Sequence, residues 1–299
     1  MPESLYGGSS MAQGLMRLSV EQVGERLTRA FDELVGVYRE SGGHLFPGFS
    51  GWDDPENYKG PTIWSEGDGQ FRFALALEQQ FPGMVHLEVP AAAYMFHDFV
   101  KGQDSRQFID IVVSDLSDFD PKNPEHVFAH RQHDVFIEVK YAGVSSKPFL
   151  GDTRKKIFVG VPADLRRLEQ HLDRRWCKAA AVLLIDDGGH LDSTIGRQVD
   201  WSTRVRPFLL SPRQLGRLDM AKQLNVTLPP ACPACGSPRL AAILHGLPPP
   251  ELEKRAREGE LVLGGCEILG FDLDPTYSCL DCKVTDSRFD PQRDAYPPQ

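Results

Sequence analysis

Val20, Val23, Leu27, Phe31, Leu34, Val35 and Tyr38 recur at three- and four-residue steps, which predicts an amphipathic helix ended by Ser41-Gly42-Gly43. Ser19 and Gln22 have the spacing of a capping box at its start. A second helix is predicted to open at Ser65-Glu66 and run through Phe71, Phe73, Ala74, Leu75 and Leu77. Val161, Leu165, Leu168, Leu172 and Trp176 predict a third. Between the second and third, the pattern changes to short Val-, Ile- and Phe-rich runs that read as strands: Met84–Pro90, Phe108–Val113 and Val135–Tyr141. Ala179–Ile185 is an all-apolar strand stopped by Asp186-Asp187-Gly188-Gly189. Residues 44–64 read as an ordered loop, and 114–133 and Gly188–Arg206 as polar connections. Phe208 to Asn225 reads as partly helical, and Pro229-Pro230 as a domain boundary.

Charges interrupt two of these strands. Side chains alternate faces along a strand, so Phe136, Glu138 and Lys140 share one face, and Asp110 sits between Ile109 and Ile111. Burying an ion costs several kcal/mol unless it is paired or binds a metal. Two carboxylates can hold a hard divalent cation, and a lysine beside them can act on the water or phosphate being activated. An edge ion pair in a binding module is the plainer reading of the same residues.

This ordered set resembles the PD-(D/E)xK nuclease superfamily, which includes many restriction endonucleases. The resemblance covers about Ser65 to Asp187 and departs at Ile109, where the family usually has Pro. It implies an α/β fold with a restriction-endonuclease-like mixed sheet flanked by helices. It implies that Asp110 and Glu138, with the backbone carbonyl of Val139, hold catalytic Mg²⁺ or Mn²⁺, and that Lys140 orients the water and stabilises developing charge. An acid on the first helix of the family core completes the site, which points to Glu66. Glu88 on the first strand competes for that role, and Glu78 reads as a surface or helix-pairing residue. The implied activity is endonucleolytic phosphodiester hydrolysis leaving 5′-phosphate and 3′-hydroxyl ends. DNA is favoured over RNA, and a role in restriction or antiphage defence follows by analogy. The competing class is a non-catalytic nucleic-acid- or protein-binding module on a nuclease scaffold.

Cys232-Pro-Ala-Cys235 and Cys279-Leu-Asp-Cys282 form two CxxC pairs, which point to a structural zinc rather than to disulfides. The arrangement resembles a zinc ribbon with an elaborated middle that includes a helix over 250–259. Gly236 follows the first pair as usual, and Lys283 follows the second in place of Gly. Cys266 and Cys177 read as buried free thiols. The expected organisation is a tail at 1–14, a nuclease-like domain at 15–228, a ribbon at 229–286 and a tail at 287–299. The ribbon is expected to serve recognition or assembly, through a homodimer or a partner protein.

The chain has 299 residues and a net charge of −9, which argues against non-specific coating of nucleic acid by a broad basic surface. Charge is local, however: within 151–180, eight basic residues against four acidic ones leave +4. Lys155, Lys156, Arg166 and Arg167 are the candidate nucleic-acid contacts, with a solvated helix face as the equal alternative. No apolar run approaches the ~20 residues of a membrane-spanning helix, and the N-terminus lacks the basic and apolar regions of a secretory signal. A cytoplasmic protein is expected. His126, His130 and His133 are spaced for a helical metal cluster, but the adjoining Pro124 and strand favour loop histidines.

Overall fold

The computed structural model describes residues 18–40, 66–90, 108–115, 132–142, 156–186, 191, 199–265 and 276–286. Helix α1 (Val20–Glu40) begins at the expected capping box. The Gln22 N–H donates to Ser19 Oγ at 3.2 Å and the Ser19 N–H to Gln22 Oε1 at 2.9 Å. Its stripe from Val23 to Tyr38 is buried, but Val20, in the first turn, is 60% exposed. Helix α2 (Glu66–Gln80) buries Gln70, Phe73, Ala74 and Leu77. Phe71 and Leu75, expected on that stripe, are more than half exposed. They lie four apart on another face of the helix, and only one stripe can meet the sheet.

The main sheet has five strands in the order β1 (Val85–Pro90), β2 (Phe108–Val113), β3 (His133–Ala142), β4 (Cys177–Asp186) and β5 (Arg206–Leu210). The first three run antiparallel, and β4 and β5 continue parallel to β3. A parallel step needs a crossover. Between β3 and β4 it contains a π-helical turn (Lys156–Gly160) and helix α3 (Val161–Asp173). Strand β5 falls where the sequence suggested only partial helix. It is short and contains Pro207, which suits its place at the sheet edge. Helix α4 (Pro212–Gln223) follows directly, with Ser211 Oγ accepting from the Gln214 N–H at 3.1 Å.

The sheet is covered on both faces. Val135, Ile137 and Val139 join α1 and α2 in one core, where Phe31 and Phe73 meet Phe208 at ring-centroid distances of 4.9 and 6.0 Å. Phe136, Val182 and Leu184 join Val161, Leu165 and Leu168 of α3 in the other. Each fully buried side chain of this kind contributes about 1.5–3 kcal/mol. Glu138 is in register with Val182 and Lys140 with Leu184, so both stand on the α3 face.

The remaining strands form a separate four-stranded sheet, β7-β6-β8-β9. These are β6 (Leu240–Leu244), β7 (Val262–Leu263), β8 (Tyr277–Cys279) and β9 (Thr285–Asp286), with helix α5 (Pro250–Arg257) between β6 and β7. This unit packs closely on the rest. A Cβ at Gly216 of α4 would lie 2.6 Å from Glu260 Oε1, and one at Gly236 would lie 2.3 Å from the Ser202 carbonyl oxygen. Among the described residues no helix is long and apolar enough to cross a membrane.

Candidate functional site

The β2–β3 ladder pairs Val113 with Val135, Val112 with Phe136 and Ile111 with Ile137, then stops. The next two opposing residues are Asp110 and Glu138. The Val139 N–H, outside that ladder, donates to Asp110 Oδ2 at 2.7 Å. Across β2, the register with β1 pairs Leu87 with Ile111 and Val89 with Ile109 but skips Glu88 and Asp110. Glu88 adopts φ +50°, a left-handed conformation that costs a non-glycine residue about 1–3 kcal/mol. Gln70 of α2 bridges the break: its Nε2 donates to the Asp110 carbonyl at 2.6 Å and to Glu88 Oε1 at 2.9 Å. Backbone and carboxylate of Asp110 are therefore both anchored.

Four carboxylates and two cations meet here. Lys140 Nζ donates to the Val139 carbonyl at 2.9 Å and lies 3.3 Å from Asp164 Oδ2, 3.6 Å from Glu66 Oε1 and 4.0 Å from Asp110 Oδ2. Arg167 Nη2 lies 2.6 Å from Glu138 Oε1 and 2.8 Å from Asp164 Oδ1. The structure thus brings together Glu66, Asp110, Glu138 and Lys140, and adds Asp164 and Arg167 from α3. Glu138 is almost fully buried. Burial, then the neighbouring Asp110, push its pKa up to about 8, against the pull of Arg167. Burial also raises Asp110, offset in part by the Val139 N–H and Lys140. Burial works against the Lys140 ammonium, but Asp164, Glu66, Asp110 and Glu138 outweigh it and hold its pKa above the ordinary lysine value.

The other expected contacts divide. Arg166 is exposed on α3. Arg167, expected on the same phosphate-facing surface, instead turns inward onto Glu138 and Asp164. Lys155 lies outside the described residues, as does the side chain of Lys156. Glu78 Oε1 accepts from the Gly83 N–H at 2.6 Å beyond the end of α2. His133 opens β3 and meets Ser114 Oγ at 2.9 Å, while His126 and His130 lie outside the described residues. Asp164 and Gln70 carry a signal too weak to read alone: an acid and a base three apart on a helix look like a surface pair, which is also why Arg167 reads from sequence as a surface contact.

Carboxylate oxygens suit a hard cation such as Mg²⁺ or Mn²⁺. One observation favours a fit. The four carboxylates exceed Lys140 and Arg167 by two negative charges when all are ionised, the charge one divalent cation would balance. The set is held by ammonium and guanidinium rather than gathered around a point. Among the described residues, only the cysteines bring three or more ligand atoms within 4.8 Å of one another.

Cys232, Cys235, Cys279 and Cys282 form that group and could hold a structural metal such as zinc. Cys232 and Cys282 sulfurs lie 3.7 Å apart, as do those of Cys235 and Cys279. A tetrahedral zinc with ~2.3 Å bonds sets its sulfurs ~3.8 Å apart. The two pairs are conformationally matched. The Gly236 N–H donates to the Cys232 carbonyl at 2.7 Å and the Lys283 N–H to the Cys279 carbonyl at 3.0 Å. Gly236 has φ +72° and Lys283 φ +62°, so Lys283 takes the left-handed position usually given to glycine. Asp281 braces the second pair by accepting from Arg239 Nη1 at 2.5 Å and from the Ser237 hydroxyl. Cys177 is buried, and burial pushes its thiol up to about 12, as expected for an inert core cysteine. Cys266 lies outside the described residues.

Comparison of the chain with protein-family models, with curated proteins and with solved structures gives no match.

Proposed function

We propose that this protein is a metal-dependent nuclease of the PD-(D/E)xK type, hydrolysing phosphodiester bonds with DNA as the favoured substrate. The observation that carries the reading is the Asp110–Glu138 pair at the point where β2 and β3 separate, with Lys140 beside it. The two carboxylates share a site in which burial disfavours ionisation of both and the charge of Asp110 further disfavours that of Glu138, a condition a divalent cation relieves. Asp110, Glu138 and the Val139 carbonyl are the proposed ligands, with Glu66 and Asp164 bordering them. A bound cation supplies Lewis-acid polarisation of the phosphate and a water of lowered pKa. Lys140 stays protonated, so its role is to neutralise developing charge rather than to take a proton. Releasing the Val139 carbonyl from Lys140 is a requirement of this assignment. The cysteine-bearing sheet serves as a zinc ribbon for recognition or assembly, and restriction or defence in the cytoplasm is the proposed setting.

A second reading is favoured by the ion pairs themselves. Lys140 and Arg167 already partner the carboxylates, as they would in a non-catalytic scaffold. Plasmid, single-stranded DNA and RNA incubated with Mg²⁺, Mn²⁺ or neither separate the two. Lys140→Ala should lower single-turnover cleavage by ~10²–10³ while DNA binding in Ca²⁺ persists. A wild type that binds but never cuts leaves the scaffold reading; a Lys140→Ala variant that cuts at the wild-type rate refutes the mechanism.

A further inference from the structure

Arg167 occupies Glu138 in a manner that bears on the metal, and the inference rests on the nuclease reading above. Glu138 is sealed by β3, β4 and α3, with a side chain only 2% exposed. The guanidinium at 2.6 Å is its closest charged partner, and it is about a quarter exposed. Arg167 reaches from α3, one turn after Asp164, whose Oδ1 holds the same Nη2 at 2.8 Å. A cation ligated by Glu138 would share the carboxylate whose Oε1 Nη2 now contacts. The guanidinium and a divalent cation also repel one another, so both are disfavoured in one buried space.

We propose that Arg167 is a built-in competitor of the divalent cation: it caps the Glu138 carboxyl in the metal-free protein and moves away from it when the metal binds. Asp164 is the pivot. As the guanidinium's second partner it keeps Arg167 at the cleft after Glu138 is released. A long, partly exposed arginine anchored at one carboxylate is then free to take a phosphate oxygen, a geometry guanidinium groups favour. Arg167 thus couples site opening to metal loading, acting first as a counter-ion and then as a substrate contact.

The test measures Mn²⁺ affinity by calorimetry on full-length protein, at one fixed pH for wild type and all variants. Arg167→Met keeps the aliphatic stem and should bind Mn²⁺ about tenfold tighter than wild type, within the usual range of site-to-site coupling. Arg167→Gln serves if the first variant does not fold, judged by zinc content and thermal unfolding. Arg166→Ala removes an equal charge one residue away on the exposed face and should shift Mn²⁺ affinity less than about twofold, more weakly still at high salt. Tighter Mn²⁺ binding by the Arg167 variants alone supports competition. Equal or weaker binding by folded Arg167 variants overturns it while leaving the metal reading intact. Absence of Mn²⁺ binding by wild type and variants alike overturns both.

Discussion

Raising the pH of the protein without added divalent cations should destabilise it through one residue, Glu138. Its carboxyl is pushed from 4.5 to about 8 in the folded state, by burial first and Asp110 second. A raised carboxyl pKa means that the folded protein holds a proton the unfolded chain has lost. Stability from this group is therefore complete below pH 4.5 and falls as pH rises to about 8. Each unit of pKa difference corresponds to ~1.4 kcal/mol, so the full loss approaches ~5 kcal/mol if nothing rearranges. Movement of Arg167 or entry of water would reduce that figure, and even part of it is a large share of a typical domain's stability. His171 works in the opposite sense over a lower range. Burial, aided by Arg167 and Arg174, lowers its pKa from 6.5 to about 4, so it removes stability as pH falls. The assay is urea unfolding from about pH 5 to 8 on wild type and Glu138→Gln, with zinc retained. The variant lacks the titrating carboxyl but keeps His171, so the difference reports Glu138 together with its coupling to Asp110. Wild type should lose stability relative to the variant as pH rises, and Mg²⁺ should restore it. A difference that stays flat across this range refutes the argument that Glu138 is held protonated.

Three further outcomes follow from the packing. Gly236→Ala should destabilise the cysteine-bearing sheet by ~1–3 kcal/mol, because a Cβ there meets the Ser202 carbonyl and φ is +72°; Lys283→Gly should be neutral or slightly stabilising by differential scanning calorimetry. Metal analysis should return about one zinc per chain, lost in Cys279→Ser and retained in Cys266→Ser; loss in the latter would mean a different ligand set. Phe73→Ala should cost ~3–5 kcal/mol in urea unfolding, since the ring is fully buried between α1, α2 and Phe208.

Much of the fold follows from local pattern. The Ser19–Gln22 cap, α2 from Glu66, α3 from Val161 and the apolar run of β4 were all legible because periodicity and capping are short-range signals. Strand β5 was not: Arg206-Pro-Phe-Leu-Leu is too short to show a period, and its pairing with β4 is long-range. The exposure of Phe71 and Leu75 was hidden for a related reason, since counting apolar residues does not say which stripe meets the sheet. At the site, Asp110, Glu138 and Lys140 stood out because a charge within a β-rich run is costly. Asp164 did not, and Arg167 reads only as an outward phosphate contact, because on a helix such charges cost nothing until tertiary packing turns them inward. Gln70 is neutral and mid-helix, and only the interrupted β1–β2 pairing gives it a task.

The anchoring of Asp110 has a consequence for how this protein can change over generations. The carboxylate is fixed by a main-chain N–H of Val139 and the carbonyl by Gln70, reaching across from α2. Neither restraint depends on which side chains stand on the exposed face of α3. Residues such as Arg166 can therefore be exchanged without moving the central acid. Substitution at exposed helix positions is thereby uncoupled from the geometry of the strand pair inside.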